Sequence, residues 1–150
     1  MNTANQRDLN PNVTEHLSMF YSIFTPAEKD LVMYCLYTMV VSDGHTDDKE
    51  MGFFISSAEL LRYPLSKEKI LELASWSPMI IYHRLKELDP LKQDWIVISL
   101  FTMLKIDGMI HPLELRVFDE IVEQFEMTKS HESYLIRLAE TIMADNGIQQ

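Results

Sequence analysis

Two stretches of this chain carry the same pattern. Residues 36–54 read LYTMVVSDGHTDDKEMGFF, and residues 100–118 read LFTMLKIDGMIHPLELRVF. The Asp-Gly pair at position 43 recurs at position 107, which is an offset of 107 − 43 = 64 residues. At the same offset, Thr25-Pro26 aligns with Asp89-Pro90 ahead of an apolar segment. Because the cap, core and turn positions stay in register, the pattern indicates an internal duplication.

Each copy predicts a buried helix, an Asp-Gly turn and a second helix. Thr25-Pro26-Ala27-Glu28 places a capping residue before Pro at the first helical position and Glu at the third. Asp47 and Glu50 have the spacing of a capping box at the start of the second helix. One copy alone cannot bury its apolar face, so we expect the two copies to pack around one core.

Helix-start signals also occur outside the duplicated unit. They lie at Asn12–Glu15, Ser66, Ser77-Pro78 and Pro112, and Gly147 is placed to end a last helix. No stretch shows sustained strand-like alternation. We therefore predict an all-α fold, a single-domain helical bundle of about seven to eight helices with a duplicated helix–Asp-Gly turn–helix unit. Residues 1–11 are predicted to be a disordered lead, and residues 12–147 the helical domain.

Composition narrows the function classes. The net charge of −10 disfavours nucleic acid and anionic lipid as partners, because both attract basic surfaces. The N-terminus lacks the apolar core of a signal peptide, and no stretch is long and uncharged enough to span a bilayer. Cys35 is the single cysteine, so an internal disulfide and the Cys-based zinc motifs are impossible. We expect a cytoplasmic protein without direct membrane insertion.

The two Asp-Gly loops are rich in oxygen-bearing side chains. The first holds Asp43, Asp47, Asp48 and Glu50, and the second holds Asp107, His111 and Glu114. Hard cations such as calcium or magnesium prefer oxygen ligands, so the six carboxylates are candidate metal ligands, and His111 is a candidate accessory ligand through nitrogen. A structural interpretation also accounts for the loops, since the glycines end one helix and Asp47 or His111 begins the next.

An EF-hand is excluded by the residues that precede the glycines. Its first and third ligand positions would be Met39 and Val41 in one copy, and Met103 and Lys105 in the other. None of these side chains donates an oxygen. A cation site here would therefore have a different geometry.

With the repeat in view, the chain resembles the tellurite-resistance TerB-like family, which is related to the N-terminal domain of the DjlA co-chaperone. The residues that carry the resemblance are 41–50 and 105–114, each followed by an amphipathic helix, together with 52–60. The resemblance covers about residues 25–127. It implies an all-α fold, a role in bacterial stress or tellurite resistance, and a metal-binding acidic cluster. His111, Pro112 and Leu113 depart from the acidic pattern of the first copy.

No catalytic constellation is visible in the sequence. The histidines lack the Glu-x-x-His spacing of di-iron bundles, and no Gly-rich phosphate loop is present. We therefore expect a non-enzymatic module that binds a protein partner, with Trp76, Met79 and Tyr82 as candidate partner-binding residues. The alternative is a domain that binds or senses a divalent cation through the Asp-Gly loops. Oligomeric state is not predicted.

Overall fold

The computed structural model describes residues 21–42, 44 and 47–145, and of residue 145 it describes the backbone. All regular elements within these ranges are helices, as predicted. They are α1 (Pro26–Val41), α2 (Asp48–Leu61), α3 (Lys67–Ser75), α4 (Pro78–Lys86), α5 (Pro90–Lys105), α6 (Pro112–Phe125) and α7 (Lys129–Asp145). The predicted lead at 1–11, the predicted helix start at Asn12–Glu15 and the predicted stop at Gly147 lie outside the described residues.

The duplication is present in the backbone. A shift of 64 residues carries the bounds of α1 onto those of α5, and the bounds of α2 onto those of α6. Gly44 and Gly108 both adopt positive φ, at 74° and 84°, where glycine avoids the steric cost of a Cβ atom. Arg62 and Glu126, which follow α2 and α6, are both left-handed, with φ of 56° and 54°.

Local capping follows the sequence in several places. The backbone N–H of Thr25 donates to Glu28 Oε1 at 2.9 Å, and the N–H of Glu28 donates to Thr25 Oγ1 at 3.2 Å, which confirms the predicted capping box. Ser66 Oγ accepts from the N–H of Lys69 at 3.0 Å and begins α3 as predicted. These bonds set where α1 and α3 begin.

Helices α1 and α5 form the centre of the bundle. Helix α1 contacts α2, α3, α4, α5 and α6, while α5 also contacts α2, α6 and α7. Both central helices are apolar nearly all round and bury half or more of their side chains. The core is continuous across the two copies, as expected from helices that cannot bury their faces alone.

The contacts between the copies are reciprocal. Helix α1 packs on α6, and its counterpart α5 packs on α2. Lys92 Nζ lies 2.7 Å from Glu28 Oε1, and positions 28 and 92 are equivalent under the 64-residue shift. Reciprocal contacts between equivalent positions are the mark of a two-fold arrangement. The copies therefore meet much as two subunits of a symmetric dimer do.

A buried hydroxyl also joins the copies. The Tyr21 hydroxyl lies 3.2 Å from Ser57 Oγ on α2 and 3.2 Å from Ser99 Oγ on α5. All three residues are buried, so these hydrogen bonds satisfy polar groups that water does not reach. Within the described helices, none combines the length and apolar character needed to cross a bilayer.

Candidate metal centre

The first turns of α2 and α6 bring two glutamates into the interior. Glu50 and Glu114 are equivalent positions of the two copies, and each is only 1% exposed. Glu50 lies three and four residues before the buried Phe53 and Phe54, so it shares their face of α2. Glu114 lies four residues before the buried Phe118 and shares its face of α6. The same helical period that builds the core therefore turns both carboxyl groups inward.

These carboxyl groups form a cluster with His111. One oxygen of Glu50, one oxygen of Glu114 and one ring nitrogen of His111 all lie within 4.8 Å of one another. Neither oxygen of Glu50 receives a hydrogen bond from an N–H or O–H group of the described residues. The carboxyl group of Glu114 lies within hydrogen-bonding reach of Glu50, but two carboxylates can bond only when one carries a proton. A buried acceptor without a donor is costly, and a cation would satisfy it.

Burial raises the pKa of Glu50 above its ordinary value of 4.5. The negative charges of Asp107 and Asp47 raise it further. The contact with Glu114 and the charge of His111 act in the opposite direction and only partly offset burial. The site therefore favours a bound proton or another positive charge over a bare pair of carboxylates.

His111 is held in place by Asp107. Its Nε2 atom lies 3.0 Å from Asp107 Oδ2, and Asp107 Oδ1 accepts from the N–H of Met109 at 3.0 Å. Burial would raise the pKa of Asp107, but these two hydrogen bonds, together with the charge of His111, outweigh burial and hold that pKa below 3.8. The hydrogen bond with Asp107 raises the pKa of His111 above 6.5, with burial opposing the shift. A carboxylate on one ring nitrogen of a histidine is the usual support for a metal bound at the other.

Asp47 and Asp48, two other predicted ligands of the first loop, lie outside this cluster. Asp47 caps α2, and its Oδ1 atom accepts from the N–H groups of Lys49 and Glu50 at 2.8 and 3.2 Å. Asp48 is exposed at the first position of α2. Asp43 lies outside the described residues. Among the predicted ligands that the structure describes, Glu50, His111 and Glu114 thus come together, and Asp107 contacts the ring of His111.

The prediction of a capping box at α2 was wrong in one respect. Asp47 caps the helix as expected, but no hydrogen bond returns from the side chain of Glu50 to the backbone of Asp47. Likewise, His111 precedes α6 without forming a side-chain cap, because its ring bonds Asp107 instead. A signal for the inward position of Glu50 was available in the sequence, since Glu50 falls in register with Phe53, Phe54 and Leu61.

The three candidate partner-binding residues differ in exposure. Met79, near the start of α4, is 77% exposed. Trp76 and Tyr82 are half-buried and pack against the core. The ring of Trp76 stacks on that of Tyr34, with 6.2 Å between centroids. Of the three, Met79 is the most exposed, and Trp76 and Tyr82 keep part of their surface accessible to solvent, so partner binding by these residues stays a prediction.

Comparisons with protein-family models, with curated proteins and with solved structures gave no match for this chain, so the TerB-like resemblance stays an expectation from the sequence.

Proposed function

We propose that this protein is a divalent-cation-binding domain in which the ion bridges the two copies of the duplicated unit. Glu50 from the first copy, and His111 and Glu114 from the second, are the proposed ligands. The observation that carries the proposal is the buried carboxyl group of Glu50, which accepts no hydrogen bond from an N–H group or a hydroxyl of the described residues and faces a second carboxyl group and an imidazole. Two carboxylates and one imidazole supply the charge and the lone pairs that a divalent cation needs.

The donor set favours a cation of the zinc type over calcium or magnesium. Calcium takes about six to eight oxygen ligands, and magnesium retains several waters in an octahedral shell. A cluster of two carboxylates and one imidazole instead suits zinc, which binds three protein ligands and a fourth group in a tetrahedron. The contact between Asp107 and His111 supports this choice, because it would fix the ring for binding through the nitrogen that does not face Asp107.

A binding role is favoured over a catalytic one. Glu50 and Glu114 are buried, so an ion between them would have little room for a substrate. The ligands come from both copies, which means that occupancy would couple to how the copies pack. We therefore propose a structural or sensing ion in a non-enzymatic module. A role in bacterial stress or tellurite resistance stays a prediction from the resemblance.

Titration calorimetry on the metal-free full chain tests this proposal. Zinc, manganese, calcium and magnesium are each titrated into wild type, Glu50→Gln, Glu114→Gln and Asp48→Asn. We expect zinc to bind most tightly, and each Gln variant to weaken its binding by about a hundredfold, because a neutral amide is a poor ligand. Asp48→Asn is the matched control, since Asp48 is an exposed acid on the same helical turn as Glu50, and it should bind as wild type does.

Two results would contradict the proposal. One is the absence of any heat of binding at about 1 mM of each ion, because even weak protein sites have dissociation constants up to about that concentration. The other is binding that Asp48→Asn weakens and Glu50→Gln leaves intact. Cobalt substitution adds an independent measurement, because its visible spectrum reports tetrahedral ligation by nitrogen and oxygen. That spectrum should be lost in His111→Ala if the imidazole is a ligand.

A further inference from the structure

A groove runs along the outer side of α6, away from the buried face that carries Glu114. Its volume is about 770 Å³, and the chain lines it from the start of α6 into the first turn of α7. Apolar lining comes from Leu115, Val122 and Met127. Val122 is buried and Met127 half-buried, while Leu115 is 38% exposed. Leu115 and part of Met127 therefore present apolar surface that the described chain does not cover, while Val122 forms the buried floor of the groove.

The lining of this groove is strongly acidic. It holds the acids Asp119, Glu120, Glu123, Glu126 and Glu132 and the bases Arg116 and Lys129, which gives a net charge of −3 from five acids and two bases. Both bases already have partners in the chain. Arg116 Nε lies 3.7 Å from Glu120 Oε2, and Lys129 Nζ lies 4.0 Å from Glu132 Oε1.

Three of these acids are left for an external partner. Asp119, Glu123 and Glu126 are exposed and form no ion pair with any described residue. Asp119 and Glu123 are four residues apart and so lie one turn apart on the same face of α6, and Glu126 follows directly after the helix ends. Uncompensated negative charge beside an apolar strip selects for a ligand with the opposite charge and a matching apolar side.

The chain itself does not supply such a ligand. Residues 1–20 carry Arg7 against Asp8 and Glu15, and residues 146–150 carry no charged side chain. A second copy of the chain would bring a net charge of −10 toward an acidic groove. A small cation would meet the acids but would leave the apolar strip unused.

We propose that the groove of α6 binds a basic amphipathic helix from a partner protein. Apolar side chains of the partner helix would pack against Leu115, Val122 and Met127, and its basic side chains would pair with Asp119, Glu123 and Glu126. Helix α6 has 14 residues, so a partner helix of the same length would match the groove. Its anchors would recur every three to four residues, as in other helix-in-groove complexes. This proposal is independent of the metal centre, since none of these six residues belongs to the cluster.

Fluorescence anisotropy with designed peptides tests the proposal. The probe is a labelled 14-residue helical peptide with Leu at every third or fourth position and Lys on the rim, titrated with the full chain. A second peptide replaces each Lys by Glu, and a third keeps the composition but scrambles the order. We expect only the ordered Lys peptide to bind, and its affinity to fall as salt rises.

Matched variants locate the binding. Asp119→Asn with Glu123→Gln should weaken binding of the Lys peptide by about tenfold, the sum of two modest charge pairs. Glu59→Gln with Glu68→Gln removes two exposed acids from α2 and α3 and should leave it unchanged. Backbone amide shifts in a heteronuclear NMR titration should concentrate on α6 and the first turn of α7.

Several outcomes would overturn this proposal. Equal binding of the Glu peptide would show that charge does not select the ligand, and equal binding of the scrambled peptide would show that no apolar face is recognised. A comparable loss in the Glu59→Gln with Glu68→Gln control, or amide shifts centred on Met79, would place binding elsewhere. Dimerisation that the groove variants abolish would instead identify a second copy as the occupant.

Discussion

Replacing Glu50 by glutamine should stabilise the metal-free protein at neutral pH. The carboxyl group is 1% exposed and accepts no hydrogen bond from a described N–H group or hydroxyl, so its ionised form is penalised by burial. A buried acceptor without a partner costs about 1–3 kcal/mol, and the amide of glutamine can instead donate to Glu114. We therefore expect Glu50→Gln to raise the free energy of unfolding by about 1–2 kcal/mol at pH 8. For a chain of this length, each kcal/mol corresponds to about 2–4 °C in Tm.

The pH dependence gives this prediction its sign. Because the pKa of Glu50 is raised in the folded chain, the folded state holds this proton more tightly than the unfolded state does. The stability that the proton contributes is complete below the ordinary value of 4.5 and is lost as pH rises through the raised pKa. Glutamine has no such proton to lose. The advantage of Glu50→Gln should therefore be small near pH 4 and grow as pH increases.

Urea unfolding followed by circular dichroism in EDTA, at steps between pH 4 and pH 8, measures this difference. Glu59→Gln is the control, because Glu59 is an exposed acid on the same helix and should leave stability within about 0.5 kcal/mol of wild type at every pH. A Glu50→Gln protein that is less stable at pH 8, or a difference that does not vary with pH, would refute the reasoning. Addition of zinc should make wild type more stable than Glu50→Gln, since only wild type retains the carboxylate of Glu50 as a metal ligand.

Three further predictions follow from the fold and the cluster. Zinc at about a hundred times its Kd should stabilise the native state by about 2.7 kcal/mol. Thermal scans should show this as a rise of several degrees in Tm that EDTA reverses, and an unchanged Tm would contradict binding to the folded state. Gly108→Ala should lower the free energy of unfolding by about 1 kcal/mol because φ is +84°, whereas Gly52→Ala, in helix α2, should raise it by about 0.5–1 kcal/mol because an added Cβ there meets no atom within 4 Å. Urea unfolding measures both variants, and equal effects would be inconsistent with the backbone argument. Tyr21→Phe leaves the hydroxyls of Ser57 and Ser99 without their shared partner and should destabilise the chain by about 1–2 kcal/mol in the same assay, while a neutral result would mean that both serines find other acceptors.

Much of the fold was predictable because local signals and the repeat agree. Four helices begin where the sequence predicts them, directly after Thr25, Ser66 and Ser77 and at Pro112. These signals are local, since a capping side chain or a proline acts within one turn of the helix it begins. The 64-residue offset then added a tertiary expectation, a core shared by two copies.

The candidate site was only partly predictable, because its geometry depends on packing between helices. Glu50 and Asp48 are two residues apart in one acidic run, and composition alone does not say which of them turns inward. The answer depends on how α2 and α6 each pack on the central helices α1 and α5, which brings Glu50 beside Glu114. His111 belongs to the cluster, and its ring contacts Asp107 and makes no capping hydrogen bond to α6.

The ion pair between Glu28 and Lys92 has a consequence for how the two halves recognise each other. These residues occupy the same position in the two copies, yet one is acidic and the other basic. A chain made from two identical first halves would set glutamate against glutamate there, and one made from two second halves would set lysine against lysine. Like charges at such a separation repel, so either construction would be penalised relative to the natural pairing. At this position the charges of the two halves are therefore complementary to each other, and each half would repel a second copy of itself.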